Sequence, residues 1–259
     1  WSIYHYDQLF SSIKAQVQFT GDPNVLFTID RSLDYTSIFR SHPMKSSNGG
    51  DTWQTLPDPT ATGVHRLIAD PNSTQRIILN EYDRLFFSNN GGASFTQVFQ
   101  PAGETVWLGG VFWDGNNIYV ATGQGLLASH DGGASFAIET HAGLPAGTGI
   151  FLLTGAKEGG TVKLFAIPMD KTLIDPWADL RNFQGSFQGL FSMNYSAGAA
   201  WSNARGNIPA NHEIMFADLA INEKDVVYAA AHEGDWPYIY KSTDGGTTWT
   251  NTFLTQNNQ

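Results

Sequence analysis

Carboxylates and tryptophans stand together in two stretches of the sequence, and these residues are the first candidates for chemistry. One stretch is His232-Glu233-Gly234-Asp235-Trp236-Pro237, and the other runs from 169 to 189 and contains Trp177 and Asp179. Aromatic rings stack on apolar faces such as those of sugar rings, and carboxylates accept hydrogen bonds from hydroxyl groups. Two carboxylates across a cleft can also act as general acid and general base on a glycosidic bond. These residue types therefore predict a glycan site.

Two shorter stretches hold the same residue types. They are Asp30-Arg31-Ser32-Leu33-Asp34-Tyr35 and Glu81-Tyr82-Asp83-Arg84, whereas the corresponding Gly123-Gln124-Gly125 carries no charge. We predict Asp34 and Asp235 as the catalytic carboxylates; the alternative is that each acidic residue belongs only to a solvated surface. The predicted ligand-binding residues are Asp30, Arg31, Tyr35, Glu81, Asp83, Arg84, Trp177, Asp179, Glu233 and Trp236.

A repeated motif indicates which elements must position these residues. The form S-x-[DN]-G-G-x-[ST]-[WF] begins at Ser46, Ser88, Ser129 and Ser242. The first three copies follow one another at intervals of roughly 40 residues, as expected for repeated structural units. The longer interval before the last copy has room for one more repeat with an insertion, and Leu190-Phe191-Ser192-Met193-Asn194 is a degenerate copy.

Each motif residue has a physical reason to be there. The short Asp or Asn side chain bonds amides of its own turn, and the Gly-Gly pair permits positive φ where the chain reverses. The final aromatic residue packs back between neighbouring sheets. We therefore predict that the motif residues are structural and bind neither metal nor ligand. They are Ser46, Asn48, Trp53, Ser88, Asn90, Phe95, Ser129, Asp131, Phe136, Ser242, Asp244 and Trp249.

Apolar, β-rich runs surround every motif, so each repeat reads as strand, turn, strand, loop, strand, Gly-Gly turn and strand. Four strands in about 40–50 residues predict an all-β fold, a β-propeller of four-stranded antiparallel blades. We expect a single propeller domain over 1–259, either complete or part of a larger ring, with 1–14 as the outer strand of a preceding blade. The predicted blades are 15–57, 58–99, 100–140, 141–203 and 204–254.

The repeats resemble the Asp-box, or BNR, repeat of the sialidase-like propeller superfamily. They are nearest in style to the xyloglucan-degrading endoglucanases and the sortilin-type receptors. The resemblance implies that the Asp-box turns lie on the face opposite the ligand mouth. In the xyloglucan-degrading family two Asp residues come from different propeller domains, which implies one acid at Asp30 or Asp34 and a second outside this chain.

Composition excludes several classes of function. The net charge of −10 argues against a nucleic-acid partner, and no apolar run is long enough for insertion into a membrane. The chain has no cysteine, and its seven histidines are scattered. We therefore expect neither a metal nor a cofactor.

Two classes of function remain. The favoured one is a secreted glycoside hydrolase, extracellular or periplasmic, that acts on a neutral polysaccharide through carboxylates of the loops. The alternative is a non-catalytic propeller that binds a glycan or a protein. The expected partners are thus a polysaccharide or glycan and the remainder of the same polypeptide. The residues alone decide neither the substrate nor a retaining or inverting outcome.

Overall fold

The computed structural model describes residues 17–30, 41–61, 63–174, 187–220, 222–234 and 236–252. Within these ranges the protein is all-β, with five four-stranded antiparallel sheets and no helix. In every sheet the strands lie side by side in chain order, which is the arrangement of a β-propeller blade. The predicted fold class is therefore confirmed. None of the described residues forms a helix long and apolar enough to cross a membrane.

The four strands of each blade follow one another along the chain. Blade 1 is β1 (Gln18–Phe19), β2 (Leu26–Asp30), β3 (His42–Ser46) and β4 (Gln54–Thr55); blade 2 is β5 (Arg66–Ala69), β6 (Ile77–Asn80), β7 (Leu85–Ser88) and β8 (Thr96–Phe99); blade 3 is β9 (Gly110–Asp114), β10 (Asn117–Thr122), β11 (Gly125–Ser129) and β12 (Ala137–Glu139); blade 4 is β13 (Thr148–Glu158), β14 (Thr161–Asp170), β15 (Phe191–Asn194) and β16 (Ser202–Asn203); blade 5 is β17 (Glu213–Leu219), β18 (Val227–Glu233), β19 (Trp236–Ser242) and β20 (Thr250–Asn251).

Burial falls from the inner strands of a blade to its outer strand. In blade 2 every residue of β6 and β7 is buried, whereas the outer strand β8 begins with two exposed residues. A strand covered on both sheet faces reads as a continuous apolar run rather than an alternating one. This explains why Ile77-Ile78-Leu79 is apolar throughout, whereas Thr96-Gln97 is polar.

The chain divides into two compact units, residues 1–108 with 133–136 and residues 109–132 with 137–259. In the first unit, blades 1 and 2 share one apolar core. Blade 1 contributes Phe27 and Ile29, and the facing sheet of blade 2 contributes Leu67, Ile77 and Leu79. Burial of these side chains is the main force that holds the two blades together.

The second unit has two such cores. Between blades 3 and 4, Tyr119 and Ala121 pack with residues that include Leu164 and Trp201. Between blades 4 and 5, the alternate residues of β14 turn the other way, and Phe165 packs with small residues of β18. The period of two along β14 therefore serves two different neighbours.

Every blade has two chemically different ends. We call one the turn end, because it carries the turn between the third and fourth strands; in blades 1, 2, 3 and 5 this turn contains two consecutive glycines and is called the Gly-Gly turn. We call the other the loop end; it holds the loop between the second and third strands and the link to the next blade. Each sheet falls inside one of the five segments predicted as blades, and residues 1–14 lie outside the described residues. Function is expected at the loop ends, because their loops differ in length and composition.

Candidate functional site

The Gly-Gly turns are closed by their own side chains. In blade 5 the Ser242 hydroxyl donates to Asp244 Oδ1 at 2.7 Å and accepts from the Gly246 amide at 2.9 Å. Asp244 Oδ1 also accepts from the amides of Thr247 and Thr248, at 3.0 and 2.8 Å. The hydrogen bonds from Thr248 and Ser242 lower the pKa of Asp244 to about 2. This carboxylate is therefore committed to its turn.

The turns of blades 1 and 2 repeat the pattern with asparagine. Ser46 donates to Asn48 Oδ1, and Ser88 donates to Asn90 Oδ1, each at 2.9 Å. In blade 3, Ser129 donates to Asp131 Oδ1 at 2.8 Å. A neutral amide thus replaces the carboxylate in two of these turns, which argues for a structural role and against cation binding.

The aromatic residue after each turn lies against apolar or backbone groups. Trp249 is buried, and its indole N–H donates to the carbonyl of Ala204 at 3.0 Å. Phe136 meets Phe87 of blade 2 edge-on, with ring centroids 5.8 Å apart. The remaining two, Trp53 and Phe95, are partly buried.

The loop end of blade 2 brings three predicted ligand-binding residues together. Glu81 is only 2% exposed, and its Oε1 accepts the Ala61 amide at 2.8 Å. Arg84 lies 3.9 Å from Glu81 Oε2 and 3.0 Å from Asp83 Oδ1. A buried carboxylate needs such partners, because an unpaired one costs several kcal/mol. Both carboxylates of this loop therefore lie within ion-pair distance of Arg84.

A cavity of 480 Å³ opens beside this loop. It is lined by Tyr82, Asp83 and residues 100–105, which include Glu104. Tyr82 is exposed, and Gln100 Nε2 donates to Asp83 Oδ2 at 2.9 Å. The cavity is large enough for a small ligand, and Tyr82 is the one aromatic residue in its lining.

The loop end of blade 5 is built differently, as the tip of the hairpin of β18 and β19. Glu233 and Trp236 pair directly across this hairpin, so their side chains leave the same face. Trp236, Tyr238 and Tyr240 alternate along β19 on that face, and we call these three residues the aromatic ladder. Its exposure falls from 66% at Trp236 to 5% at Tyr240, so the ladder runs from solvent into the core.

Polar groups line the ladder. The His212 ring lies against Tyr238, with centroids 4.0 Å apart, and its Nδ1 lies 2.7 Å from the Tyr240 hydroxyl. Burial raises the pKa of Tyr240 and keeps this hydroxyl neutral. Asn211 Nδ2 donates to Glu233 Oε1 at 2.5 Å, and His212 Nε2 lies 3.5 Å from Glu233 Oε2. The result is an open aromatic surface with a fixed carboxylate beside it.

Of the other predicted residues, the structure describes only Asp30. Asp30 ends β2 and pairs across the sheet with His42, whose Nδ1 lies 3.2 Å from Asp58 Oδ2. The two predicted catalytic residues and four predicted ligand-binding residues lie outside the described residues: Asp34, Asp235, Arg31, Tyr35, Trp177 and Asp179. Their roles stay predictions.

A polar cluster between blades 3 and 4 was missed at the level of sequence. Glu139 accepts from His130 Nε2 at 2.7 Å, from His141 Nε2 at 3.0 Å and from the Tyr195 hydroxyl at 2.9 Å. Burial alone would raise the pKa of Glu139, but these hydrogen bonds lower it. Burial and the nearby Glu139 carboxylate raise the pKa of Tyr195 to about 12. No sequence spacing signals this cluster, because its members come from two blades.

The cluster ties two blades to each other. His141 Nδ1 lies 2.8 Å from the Ala199 carbonyl, so both nitrogens of this buried ring face oxygen acceptors. Within the described part of the chain, no group of three or more His, Asp or Glu side chains is arranged to hold a metal ion. We therefore assign the cluster to the packing of blades 3 and 4.

Comparison with known proteins agrees with the fold and gives a partial match in sequence. No family model matches the chain. In sequence it is 27% identical, over 251 residues, to a xyloglucanase of a Paenibacillus species; the match covers 80% of this chain and 23% of the relative. The chain thus spans about a quarter of the length of that curated relative. The sequence of this chain is therefore similar to part of a xyloglucanase.

Solved structures show the same fold. A GH74 enzyme of Niastella koreensis superposes with a TM-score of 0.63 at 17% identity, covering 91% of this chain and 37% of that one. A puromycin-hydrolysing peptidase of Mycobacterium tuberculosis reaches 0.57 at 11% identity, covering 93% and 39%. Two different activities share this architecture, so the fold alone does not select between them. The residues of the loop ends must carry that argument.

Proposed function

We propose that this protein is a polysaccharide-recognising propeller of the xyloglucanase type, which holds a neutral polysaccharide on the loop end of blade 5. The aromatic ladder is the observation that carries the proposal. Trp236 is a large apolar surface left in water, which soluble proteins otherwise tend to cover, and Glu233 beside it accepts hydrogen bonds. The similarity to part of a xyloglucanase supports xyloglucan as the first substrate to test.

The chemistry proposed is hydrolysis of a glycosidic bond. It requires a general acid and a second carboxylate, for which Asp34 and Asp235 remain the proposed residues. In this proposal Glu233 binds sugar hydroxyls and is not the acid, because Asn211 holds one of its oxygens and His212 and Tyr238 approach the other. The protein would then be secreted, since polysaccharide is met outside the cell, and would work with the remainder of a longer polypeptide.

A second function is favoured by the same contacts. The one described carboxylate on the ladder is engaged by protein groups, which suits binding better than proton transfer. In this alternative the propeller recognises a glycan or a protein without turning it over. The two candidates share the ladder and differ only in whether bonds are broken.

One experiment separates them. The purified protein is incubated with xyloglucan and other neutral polysaccharides, and binding and release of reducing ends are measured in the same wells. Release that disappears in Asp34→Asn or Asp235→Asn establishes the hydrolase. Binding without release by the wild type establishes the recognition module. Absence of both, in a protein with native circular dichroism, contradicts the glycan proposal.

A further inference from the structure

A buried histidine joins the outer strand of blade 3 to blade 4. His141 follows β12 in the link between these blades, and its side chain is only 4% exposed. Its Nδ1 lies 2.8 Å from the carbonyl oxygen of Ala199, and its Nε2 lies 3.0 Å from Glu139 Oε2. A neutral imidazole has one N–H, whereas a carbonyl and an ionised carboxylate can only accept hydrogen bonds. The two contacts therefore need one proton more than a neutral ring carries.

The surroundings of the carboxylate decide whether this proton lies on Glu139 or on His141. Burial raises the pKa of Glu139, but the hydrogen bonds from His130, His141 and Tyr195 outweigh burial and lower it, so the carboxylate is ionised at neutral pH. Burial and the Glu139 carboxylate raise the pKa of Tyr195 to about 12, so its hydroxyl keeps its proton and donates to Glu139. The additional proton therefore belongs to His141, which is then an imidazolium.

The titratable groups around this pair come from three elements. Glu139 approaches His141 from β12, and the Tyr195 ring of blade 4 lies with its centroid 5.7 Å from that of His141. His130, in the Gly-Gly turn of blade 3, also contacts Glu139, and the buried Tyr119 of β10 lies against Tyr195. In the part of the chain that the structure describes, no lysine or arginine forms an ion pair with Glu139. The cations beside this carboxylate are histidines, whose charge changes within the physiological range of pH.

The residues that follow His141 lie directly against blade 4. The Trp201 amide donates to the carbonyl of Ala142 at 2.8 Å. Gly143 leaves no room for a Cβ, which would clash with the carbonyl oxygen of Trp201, so the two backbones are in close contact. Trp201 itself is buried in the core between blades 3 and 4. The hydrogen bonds of His141 therefore hold a backbone contact at the edge of this core.

We propose that the contact between residues 141–143 and 199–201 is a pH-sensitive latch, which is closed while the His141 ring carries a proton on both nitrogens. When the ring loses one proton, the bare nitrogen faces an oxygen with a lone pair, and that hydrogen bond is lost. The latch is therefore closed on the acid side of the range in which histidines titrate, and it loosens as pH rises. The proposal rests on contacts within blades 3 and 4 and is independent of what the loop ends bind.

Hydrogen exchange at the Trp201 amide reports on the latch, because this amide bonds to the residue next to His141. Its exchange rates in the full chain are measured at about pH 6 and about pH 8.5, on either side of the histidine range, and divided by the rates of an unfolded peptide. We expect protection to fall by about tenfold or more at the higher pH, since local opening then breaks one hydrogen bond fewer. Nitrogen NMR of the histidine rings should show two N–H groups on His141 at the lower pH and one at the higher pH.

Three variants show whether the named residues carry the effect. His141→Gln replaces the ring with an amide that does not titrate, and Glu139→Gln provides an amide that can donate to a neutral His141 ring. Both variants should make protection independent of pH. His130→Gln is the matched control, since it also removes a histidine bonded to Glu139. His130 Nδ1 faces the Asn117 side-chain amide, which can present either an acceptor or a donor, so this ring needs no second proton and the variant should keep the wild-type fall.

Two results in the wild type would overturn the latch. They are equal protection of the Trp201 amide at both pH values, and a His141 ring with one N–H at both. A fall in His141→Gln equal to that of the wild type would also overturn it, because the titrating group would then lie elsewhere. The ring measurement uses the wild type alone, so it tests the proposal even if a variant fails to fold.

Discussion

The loop ends of blades 2 and 5 contain similar residues but differ in structure. Both follow the second strand of a blade, and both combine glutamate, aspartate and an aromatic residue. In blade 2 the loop turns inwards, and Glu81 is 2% exposed with an amide and an arginine beside it. In blade 5 the hairpin projects, and Glu233 and Trp236 remain in water. Two acidic loops of similar composition thus have different roles. The carboxylate of Glu81 stabilises the fold of blade 2, whereas Glu233 belongs to an exposed surface of blade 5.

The two loops differ in which groups lie beside their carboxylates. In the blade 2 loop, Arg84 lies within ion-pair distance of both Glu81 and Asp83. The blade 5 loop has no arginine or lysine between His232 and Pro237, and the neighbours of its Glu233 are the Asn211 amide, the Tyr238 hydroxyl and the His212 ring. A carboxylate without an arginine or lysine partner and open to solvent keeps its capacity to accept hydrogen bonds from a ligand.

The largest effect is expected from Glu81→Ala. It removes a buried acceptor from the Ala61 amide and a charge from Arg84, so the free energy of unfolding should fall by about 2–3 kcal/mol. Glu233→Ala, the matched change in blade 5, should alter it by no more than about 0.5 kcal/mol, as for other exposed positions. Urea unfolding of the two variants measures both values. Equal losses would mean that the two loops are not different in kind.

A smaller loss is expected at the other end of blade 5. Ser242→Ala leaves the buried amide of Gly246 without its acceptor, which should cost about 1–2 kcal/mol. Binding at the loop end should be unchanged, because the aromatic ladder is anchored independently by His212 and Tyr240. Thermal unfolding and a binding isotherm on one sample test the two statements together. A variant as stable as the wild type would contradict the role of the serine.

The smallest effect is a dependence on pH. The pKa of Asp244 is lowered from 3.8 to about 2 in the folded protein, so its stabilising effect is complete above about pH 4 and is lost as pH falls towards 2. Asp244→Asn should flatten the loss of stability in that window, since asparagine fills the same turn position at Asn48 and Asn90. Melting temperatures at pH 5 and pH 2.5 for both proteins give the comparison. Parallel losses would remove Asp244 as the titrating group.

The fold was predictable because it is encoded locally and repeatedly. Serine, Asp or Asn and two glycines form a turn from neighbouring residues alone, and four copies fixed the blade pattern. The aromatic ladder was half predicted: Trp236 and Glu233 stood out in one loop, but His212 comes from a distant link and no spacing announces it. The inward turn of Glu81 was also hidden, because its partner Ala61 offers only a backbone amide.

The central claim is that the aromatic ladder of blade 5 binds a neutral polysaccharide. Affinity electrophoresis in xyloglucan gels compares the wild type with Trp236→Ala and with Tyr82→Ala, the exposed aromatic residue of the matched loop in blade 2. We expect Trp236→Ala to weaken binding about tenfold or more, the cost of losing a central aromatic anchor, and Tyr82→Ala to leave it within about twofold. Retention of Trp236→Ala equal to that of the wild type would contradict the claim.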